Sequence, residues 1–315
     1  MKLVIQVPAW NEEAHLPAAL AALPRTVEGF DELEVLVVDD GSSDGTAEVA
    51  RAHGARVVRV PVHRGLAVAF AVGLAAALKS GADVIVNTDA DNQYDANDIP
   101  RLTAPILEDR ADVVIGDRQV QDIPHFSATK KVLQRLGSAV VRRLSQTPVR
   151  DATSGFRALS REAALKLHVF TRFTYTLETI LQAGRAGLRV VSVPVRVNPE
   201  VARPSRLFRS NFGYVWRSLE SIARIVVLYN PLRIFLRLGW VPVLVGAALL
   251  VRFAWYFFSG RSPAGHVQSL LVAVILVLVG VQIWVVGIVA DLIAVNRRLL
   301  EEAVERLRSG SSERG

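Results

Sequence analysis

The stretch VIVNTDADNQY (84–94) joins a strand-like apolar run to a short acidic cluster. In an extended segment, residues two apart point to the same side, so Asp89, Asp91 and Gln93 are expected to converge. Two carboxylates and an amide oxygen form a hard, all-oxygen set that suits Mg²⁺ or Mn²⁺. A D-x-D pattern is common, and a solvated turn explains it as well. Its position at the end of a predicted strand is what favours a metal site over such a turn.

The first part of the chain alternates strand-like and helix-like segments. This alternation predicts an α/β fold with a mostly parallel sheet and helices on both faces. Ligands of such sheets bind at the carboxyl ends of the strands, where 89–93 would lie. A helical region (127–186) with an interrupting loop (151–160) and a further strand (188–197) are expected to follow. The predicted strands are 3–7, 33–38, 56–60, 83–88 and 112–116, and the predicted helices are 12–22, 44–52, 65–79 and 98–108.

Two other predicted strands also end in residues that suit a nucleotide. The second ends at Asp39 and Asp40, and a carboxylate there can accept hydrogen bonds from a ribose hydroxyl or a base N–H. The first runs into VPAWNEE (7–13), where Trp10 offers a flat face for a base. Each has a plainer interpretation, a capped turn for the aspartates and an ordinary helix start for VPAWNEE.

The C-terminal part predicts a membrane hairpin. Hydrophobic residues make up 51% of the 315 residues, and mean hydropathy is +0.30. Two apolar stretches, 238–259 and 267–290, each exceed the roughly 20 residues that span a hydrocarbon core. Arginines before the first stretch and after the second place both ends, and the large N-terminal domain, on the cytoplasmic side. Two buried core helices are the alternative, and Arg252 interrupts the first stretch.

Positive charge is concentrated just before the predicted spans. The formal net charge is +7, and the segment 196–238 holds eight arginines against two glutamates. Apolar and aromatic residues interleave with these arginines, which is typical of basic amphipathic helices in a membrane interface and disfavours nucleic acid as the partner. The absence of cysteine excludes disulfides, cysteine-bound zinc and a thiol nucleophile. The N-terminal apolar run is too short for a signal peptide and is soon followed by acidic residues, so no signal peptide is expected.

Several motifs appear in an order that resembles a known family. VPAWNEE, VVDDGSSDGT (37–46), HRGLAVAFAVGL (63–74) and NTDADNQY are together similar to family 2 glycosyltransferases of the GT-A fold. VIGDRQV (114–120), VRDATSGFRALSREA (149–163) and RPSRLFRS (203–210) narrow the resemblance to polyprenyl-phosphate glycosyltransferases, the group with dolichol-phosphate mannose synthase and undecaprenyl-phosphate glucosyltransferases. The similarity covers about residues 2–230. It implies a GT-A domain (1–200), basic juxtamembrane helices with a mobile donor loop (201–237), two transmembrane helices (238–295) and a cytoplasmic tail (296–315).

The resemblance also implies roles for individual residues. Asp89, Asp91 and Arg118 would be catalytic, with Asp89, Asp91 and Gln93 as metal ligands. The acceptor phosphate would meet Arg118, Lys131, Arg135 and Arg157. The nucleotide sugar would be bound by Pro8, Trp10, Asn11, Glu12, Val37, Asp39, Asp40, Ala90, Arg203 and Arg206.

The chain departs from the family pattern in four places. Trp10 replaces the usual Tyr, and His63 stands where Asn is common. QRLGSAV (134–140) replaces SRGAN, which puts the acceptor roles of Lys131 and Arg135 in doubt. Glu200 falls near the place of a further arginine, for which Arg203 is a substitute.

These features together predict a metal-dependent, inverting glycosyltransferase in the membrane, with its catalytic domain in the cytoplasm. Its donor would be a UDP- or GDP-sugar and its acceptor dolichyl or undecaprenyl phosphate. A phosphate monoester is already ionised at pH 7 and needs cations rather than a general base. A homo-oligomer is possible.

Three alternatives remain open at this point. A family 2 enzyme that uses a hydroxyl acceptor would need a base, for which Glu178 is the candidate. A non-catalytic membrane scaffold would be expected to carry degraded acidic motifs. A nucleotidyltransferase would be expected to carry a glycine-rich phosphate loop after the first strand, and PAWNEEAHLP (8–17) has none.

Overall fold

The chain divides into two units, Met1–Ile222 with Glu305–Gly315, and Ala223–Val304. The computed structural model describes residues 1–119, 128–169, 175–198, 220, 223–224, 227, 231–259 and 267–312. Most of the predicted basic segment 201–237, including Arg203 and Arg206, lies outside these residues.

A seven-stranded sheet forms the centre of the first unit. Its strands are β1 (Lys2–Ala9), β2 (Glu32–Asp39), β3 (Arg56–Arg59), β4 (Val84–Asn87), β5 (Val113–Asp117), β6 (Arg157–Ser160) and β7 (Val190–Pro194). Its helices are α1 (Leu16–Ala22), α2 (Thr46–Ala52), α3 (Leu66–Lys79), α4 (Ile99–Leu107), α5 (Ala128–Ser145), α6 (Arg161–Lys166) and α7 (Tyr175–Arg185), with a 3₁₀ turn at Ala96–Asp98.

The strand order β3-β2-β1-β4-β6-β5-β7 confirms the mostly parallel α/β sheet. Strand β6 is the exception, since it runs antiparallel to both β4 and β5. The prediction that 151–160 is only a loop is therefore wrong for its last four residues. Strand β6 is short, begins with an arginine and ends with a serine, so the sequence contains no apolar run that would indicate a strand there.

The core explains why the central strands read as continuous apolar runs. Along β1, Leu3, Ile5 and Val7 join one buried cluster with Val84 and Val86 of β4. Gln6 on the opposite face is also fully buried, and its amide donates a hydrogen bond of 2.9 Å to Asn87 Oδ1. Since both faces of these strands are covered, helices must flank the sheet on both sides.

The other predicted elements are confirmed, with boundaries that shift by a few residues. The largest shift is in α1, which begins at Leu16 because residues 10–15 form turns at the end of β1. Gly45 rather than Asp44 occupies the N-cap of α2, although the Asp44 carboxylate accepts a bond from the Thr46 N–H. Gly54 follows α2 with φ +78°, the left-handed conformation expected of a helix-ending glycine.

The second unit contains the two apolar helices. Helix α8 (Pro231–Phe258) and helix α9 (Val267–Ser312) include candidate membrane spans at Pro231–Phe258 and Val267–Asn296, with mean hydropathies of 2.2 and 2.9. Both are long enough to cross a bilayer. Arg252 is exposed on α8.

Glycines let the two apolar helices approach closely. A Cβ on Gly239 would lie 2.5 Å from the Trp284 ring, and one on Gly246 would lie 2.9 Å from the Ala273 carbonyl oxygen. Gly280 and Gly287 of α9 face Val243 and Phe235 of α8 in the same way. The two helices therefore pack antiparallel, as in a hairpin. Small residues lie at their contact, which is common where membrane helices pack against each other.

Candidate active site

The carboxyl ends of β1, β2 and β4 meet at one edge of the sheet. Ala9 at the end of β1 pairs with Asp39 at the end of β2, and Gln6 pairs with Asn87 at the end of β4. The predicted donor-binding and metal-binding segments follow these residues directly. The fold thus brings together the motifs that the sequence places about 30 and 80 residues apart.

The acidic segment after β4 is a turn rather than the extended segment expected from the sequence. Asn92 has φ +56°, and the Gln93 N–H donates a 3.0 Å hydrogen bond to Asp91 Oδ1. Asp89 lies close enough to Asp91 for their charges to interact. The segment is thus a turn and not an extended strand, and the convergence of its carboxylates on one metal stays a prediction.

The Asp89 carboxylate packs against the backbone of a distant loop. A Cβ on Gly155 would stand 3.0 and 3.2 Å from its two oxygens, and 3.1 Å from the Tyr175 hydroxyl. Asn87 holds this loop in place, because its amide donates a 2.8 Å bond to the Gly155 carbonyl. The Gly155 N–H in turn donates to the Tyr94 hydroxyl at 3.1 Å.

The Asp89 carboxyl is buried beside another carboxylate, and both conditions disfavour its charged form. Burial, the largest cause, and the charge of Asp91 raise the pKa of Asp89 to about 7. Arg118 and Arg157 oppose this rise without cancelling it. A bound cation would favour the ionised form of Asp89.

The donor set fits a divalent metal. Among the described residues, no three His, Cys, Asp or Glu side chains form a cluster that could hold a metal ion. Asp89 and Asp91 supply two carboxylates, and Gln93 lies in the same turn. Mg²⁺ and Mn²⁺ are commonly held by one or two carboxylates, with substrate phosphates completing the shell.

Arg118 is fixed beside the acidic turn by an ion pair. Its guanidinium donates to both Asp151 oxygens, at 2.6 and 3.0 Å, and to the Thr153 hydroxyl at 2.7 Å. Burial alone would raise the pKa of Asp151, but the Arg118 charge and these hydrogen bonds lower it. The side chains of Arg118 and Asp151 are only 8% and 3% exposed, so a ligand could contact only a small part of the Arg118 guanidinium.

Arg157 is fully buried, in contrast to its expected contact with an acceptor phosphate. Its guanidinium donates to the Thr179 hydroxyl at 2.7 Å, to the Thr176 carbonyl at 3.2 Å and to the Ser154 carbonyl. It also lies over the Tyr175 ring, 5.4 Å from the centroid. In this arrangement Arg157 ties β6 to α7, and its role toward a phosphate stays a prediction.

Helix α5 carries the other two predicted acceptor residues. Lys131 is half-buried and Arg135 is exposed, one turn apart on the same helix. Beside them Val132 and Leu136 are 65% and 50% exposed. The first half of α5 therefore offers both cationic and apolar side chains on its surface.

Trp10 is exposed and stacks on His63. The two rings have centroids 4.0 Å apart and an interplanar angle of 20°. Asp40 holds the histidine, with its Oδ2 2.9 Å from His63 Nδ1, and its carboxylate also accepts bonds from the N–H groups of Arg64 and Gly65. Asp40 is thus occupied by the 63–65 loop, and His63 contributes to the aromatic surface that the sequence assigned to Trp10 alone.

The remaining donor-side residues tie the first strand to the second. The N–H groups of Asn11 and Glu12 donate to the hydroxyls of Ser42 and Thr46, at 3.0 and 2.9 Å. Asp39 Oδ1 accepts from the Ser42 N–H, and its Oδ2 lies 3.2 Å from Arg59 Nε. Three of the predicted contacts have buried side chains in or next to the strands: Pro8, Val37 and Ala90.

The sequence did not reveal several residues that shape the site. Gly155 and Tyr175 lie near Asp89 in space but 60 to 90 positions beyond the acidic turn in the sequence. Asp151 binds Arg118, and only the fold brings these two residues together. The motif DATSGFR contains two of them and was the one available signal. Glu178, the candidate base for a hydroxyl acceptor, is 2% exposed on α7.

Residues 4–167 match the model of the glycosyl transferase family 2 domain, which is more than half of the chain. The chain belongs to glycosyl transferase family 2. An uncharacterized glycosyltransferase of Mycobacterium tuberculosis is 36% identical over 69% of this chain and 95% of its own length. An undecaprenyl-phosphate mannosyltransferase of Micrococcus luteus is 32% identical over 62% and 83%. Glycosyltransferase AglJ of Haloferax volcanii is 30% identical over 96% and 97%, so its similarity includes the region of the hairpin.

Solved structures of another glycosyl-transferring enzyme are similar in fold to much of this chain. Glucosyl-3-phosphoglycerate synthase of Mycobacterium tuberculosis, in complex with Mn²⁺ and UDP-glucose, is 27% identical with a TM-score of 0.52. The match covers 71% of this chain and 78% of the relative. A second structure of that enzyme contains phosphoglyceric acid and has a TM-score of 0.54. The GT-A type of sheet and the glycosyltransferase class of the chain follow from these comparisons.

Proposed function

We propose that this glycosyltransferase transfers a sugar, with inversion, from a UDP- or GDP-sugar to a polyprenyl phosphate at the cytoplasmic face of a membrane. The observation that carries the proposal is the combination of an acidic turn and a basic, partly apolar helix surface in one domain. Asp89 and Asp91 suit the donor diphosphate through a metal, whereas Lys131, Arg135 and the exposed apolar residues of α5 suit a phosphate attached to a lipid.

The donor half of the proposal is supported by the solved relative with Mn²⁺ and UDP-glucose. When bound, a divalent ion supplies positive charge to the departing nucleoside diphosphate. Asp89, Asp91 and Gln93 would hold that ion, and Trp10 would stack on the base. Asp39 has a buried carboxylate at the strand end where ribose hydroxyls bind in related sheets.

The acceptor half follows from charge. A phosphate monoester carries about −1.5 to −2 charge at pH 7, so the attacking oxygen is already ionised. Arg118 offers a preorganised cation beside the acidic turn, and it lowers the repulsion between an incoming phosphate and the aspartates. A single displacement at the anomeric carbon would invert its configuration. The name of the Micrococcus luteus relative agrees with such an acceptor.

The hairpin explains how such an enzyme would meet its acceptor. A polyprenyl phosphate keeps its chain in the bilayer and its phosphate at the interface. Helices α8 and α9 would anchor the domain, and arginines such as Arg233 and Arg237 at the start of α8 would lie at the cytoplasmic surface. Each arginine near anionic lipids contributes about 1 kcal/mol.

A hydroxyl acceptor is the second candidate, because the solved relative has been crystallised with phosphoglyceric acid. Such chemistry needs a general base within hydrogen-bond reach of the acceptor. Glu178, the candidate base, is buried on α7 at 2% exposure, which disfavours this function. A non-catalytic scaffold is disfavoured because the acidic turn, Arg118 and Trp10 are all present and arranged around one edge of the sheet.

The test is transfer by the full-length protein in vesicles. Labelled UDP- and GDP-sugars are supplied with undecaprenyl phosphate, dolichyl phosphate, free polyprenol or 3-phosphoglycerate, each with Mn²⁺, Mg²⁺ or EDTA. We expect a polyprenyl-phosphate sugar, lost in EDTA and in Asp91→Asn. Transfer to free polyprenol or to 3-phosphoglycerate but not to the lipid phosphate would overturn the proposal.

A further inference from the structure

The segment 196–198, which follows β7, binds the end of the acidic turn and the residues after it. Tyr94 forms an isolated antiparallel bridge with Val197, and the Asp95 N–H donates to the Arg196 carbonyl at 3.2 Å. The Arg196 N–H donates back to Asp98 Oδ2 at 2.6 Å. The 94–98 and 196–198 segments are therefore joined as a short two-stranded ribbon beside the sheet edge.

Asn198 ends this ribbon and makes its contacts to the acidic turn itself. Its backbone N–H donates to the Gln93 carbonyl at 2.9 Å. Its side-chain amide donates to the Asn92 carbonyl at 2.9 Å, with a longer contact of 3.4 Å to the Tyr94 carbonyl. One residue thus binds three consecutive carbonyl groups, two in the turn that carries Asp91 and one at Tyr94, where the ribbon begins.

The turn contains a left-handed residue, and contacts from outside the turn help to fix it. Asn92 has φ +56°, a conformation that asparagine adopts more readily than other non-glycine residues but does not adopt exclusively. The internal bond from the Gln93 N–H to Asp91 Oδ1 is local and forms only while the turn persists. The bonds from Asn198 come from outside the turn, and so they select this conformation over an extended one.

We infer that Asn198 is a positioning residue for the divalent metal of the proposed donor site. It would touch neither metal nor substrate, and it acts by holding the 91–93 turn, which carries the proposed ligands Asp91 and Gln93, in one conformation. This inference rests on the proposed function, because the metal is part of that proposal. Outer residues that orient metal ligands typically change metal affinity about 10–100-fold when replaced.

The experiment measures Mn²⁺ binding directly. Free Mn²⁺ is followed by electron paramagnetic resonance in titrations of full-length protein in detergent, with and without UDP. Asn198→Ala is expected to weaken Mn²⁺ binding about 10-fold. The transfer reaction should show a raised requirement for Mn²⁺, with the maximal rate largely recovered at saturating metal.

Asn97→Ala is the matched control. Asn97 lies in the next turn of the same segment, and its side-chain amide bonds locally to Asp95 Oδ1 at 2.9 Å. Its replacement by alanine should leave Mn²⁺ affinity within about 2-fold of wild type, since no bond to the 91–93 turn is lost. Asn198→Ser serves as a second variant if Asn198→Ala folds poorly, because serine keeps a small polar side chain. Both variants keep the backbone N–H bond and lose the amide donor.

The possible outcomes separate the inference from the proposed function. Wild-type protein that binds no Mn²⁺ and transfers no sugar would sink the proposed function and this inference with it. Wild-type binding that Asn198→Ala and Asn198→Ser both retain would refute the positioning role alone. A loss of thermal stability at unchanged Mn²⁺ affinity would show that Asn198 is merely structural, and would also refute it.

Discussion

The carboxylate of Asp89 lies directly against the Cα of Gly155, from another part of the chain. A Cβ at position 155 would approach Oδ1 to 3.0 Å and Oδ2 to 3.2 Å. The same Cβ would also lie 3.1 Å from the hydroxyl of the buried Tyr175, whose ring stacks on Phe70. A side chain at 155 must therefore displace the carboxylate, since the tyrosine has little room to move.

Gly155→Ala is expected to weaken metal binding while the protein remains folded. The added methyl group would lie closer to Asp89 than an ordinary van der Waals contact, so the Asp89 carboxylate must shift from its present position. We expect Mn²⁺ affinity and transfer rate to fall about 10-fold, in the range of other changes that reorient a metal ligand. Titration with Mn²⁺ and a transfer assay at saturating donor measure the two effects.

Gly81→Ala is the control for general destabilisation. Gly81 has φ +84°, and a Cβ added there would meet nothing within 4 Å, so alanine introduces backbone strain without a steric clash. It should lower thermal stability without changing Mn²⁺ affinity. Equal losses of affinity in Gly81→Ala and Gly155→Ala would contradict the role given to the Gly155–Asp89 contact.

Trp10→Ala is expected to weaken nucleotide binding. Stacking of a base on an aromatic side chain contributes about 1–3 kcal/mol, which predicts a loss between about 5-fold and 150-fold in UDP or GDP affinity. Calorimetry with each nucleotide measures the loss and shows which base is preferred. Trp255→Ala, at an indole that is 70% exposed on α8, should leave nucleotide affinity unchanged.

The stack between Trp10 and His63 adds a second expectation. If His63 holds the indole in place, His63→Ala should weaken nucleotide binding less than Trp10→Ala does, and the double variant should be no weaker than Trp10→Ala. Such non-additivity is the signature of two residues that act through one contact. Fully additive losses would mean that His63 contacts the ligand independently or acts elsewhere.

The sequence revealed the sheet because its strands are continuous apolar runs. It did not reveal β6, since Arg157 begins this strand and is fully buried there. A buried arginine is acceptable only because Thr179 and the carbonyls of Ser154 and Thr176 accept its hydrogen bonds. Thr176 and Thr179 lie on α7, and no local pattern of hydrophobicity around Arg157 indicates that these partners exist.

The sequence predicted where the candidate site lies but not the shape of its acidic segment. Asp39 and Asp89 follow strand ends, and the topology places those ends at one edge of the sheet. Asp89 packs against Gly155, and the carbonyl groups of 92–94 bind Asn198; these two residues lie 66 and 109 positions beyond Asp89 in the sequence. Long-range contacts of this kind are decided by packing and cannot be seen in a window around the motif.

The ion pair between Arg118 and Asp151 predicts a dependence of stability on pH. The pKa of Asp151 is lowered from its ordinary value of 3.8, so its stabilising contribution is fully present above that value. As the pH falls through the lower folded pKa, Asp151 is protonated and the contribution is lost. At neutral pH, Asp151→Asn leaves the buried Arg118 without its counter-charge, and we expect a loss of about 3–5 kcal/mol in the free energy of unfolding.

Denaturant unfolding of the two proteins between pH 3 and pH 7 checks this. The difference between wild type and Asp151→Asn should be constant above about pH 5 and shrink below about pH 4. Asp31→Asn is the matched control, because Asp31 pairs with the N-terminus and its side chain is 91% exposed. It should leave stability nearly unchanged at every pH, because an exposed ion pair is screened by solvent. A difference that grows toward low pH would contradict the assignment.

The hairpin packing can be tested by a disulfide, since the chain has no cysteine of its own. A Cβ on Gly287 would lie 2.6 Å from the Phe235 Cβ, and a small shift reaches the separation of about 3.5–4.5 Å that a disulfide needs. Phe235→Cys with Gly287→Cys is therefore expected to cross-link on mild oxidation, visible as a mobility shift after cleavage between the helices. Leu244→Cys with Leu278→Cys, at two exposed positions, should stay reduced within one chain. Cross-linking of this second pair alone would mean that the helices face each other through other surfaces.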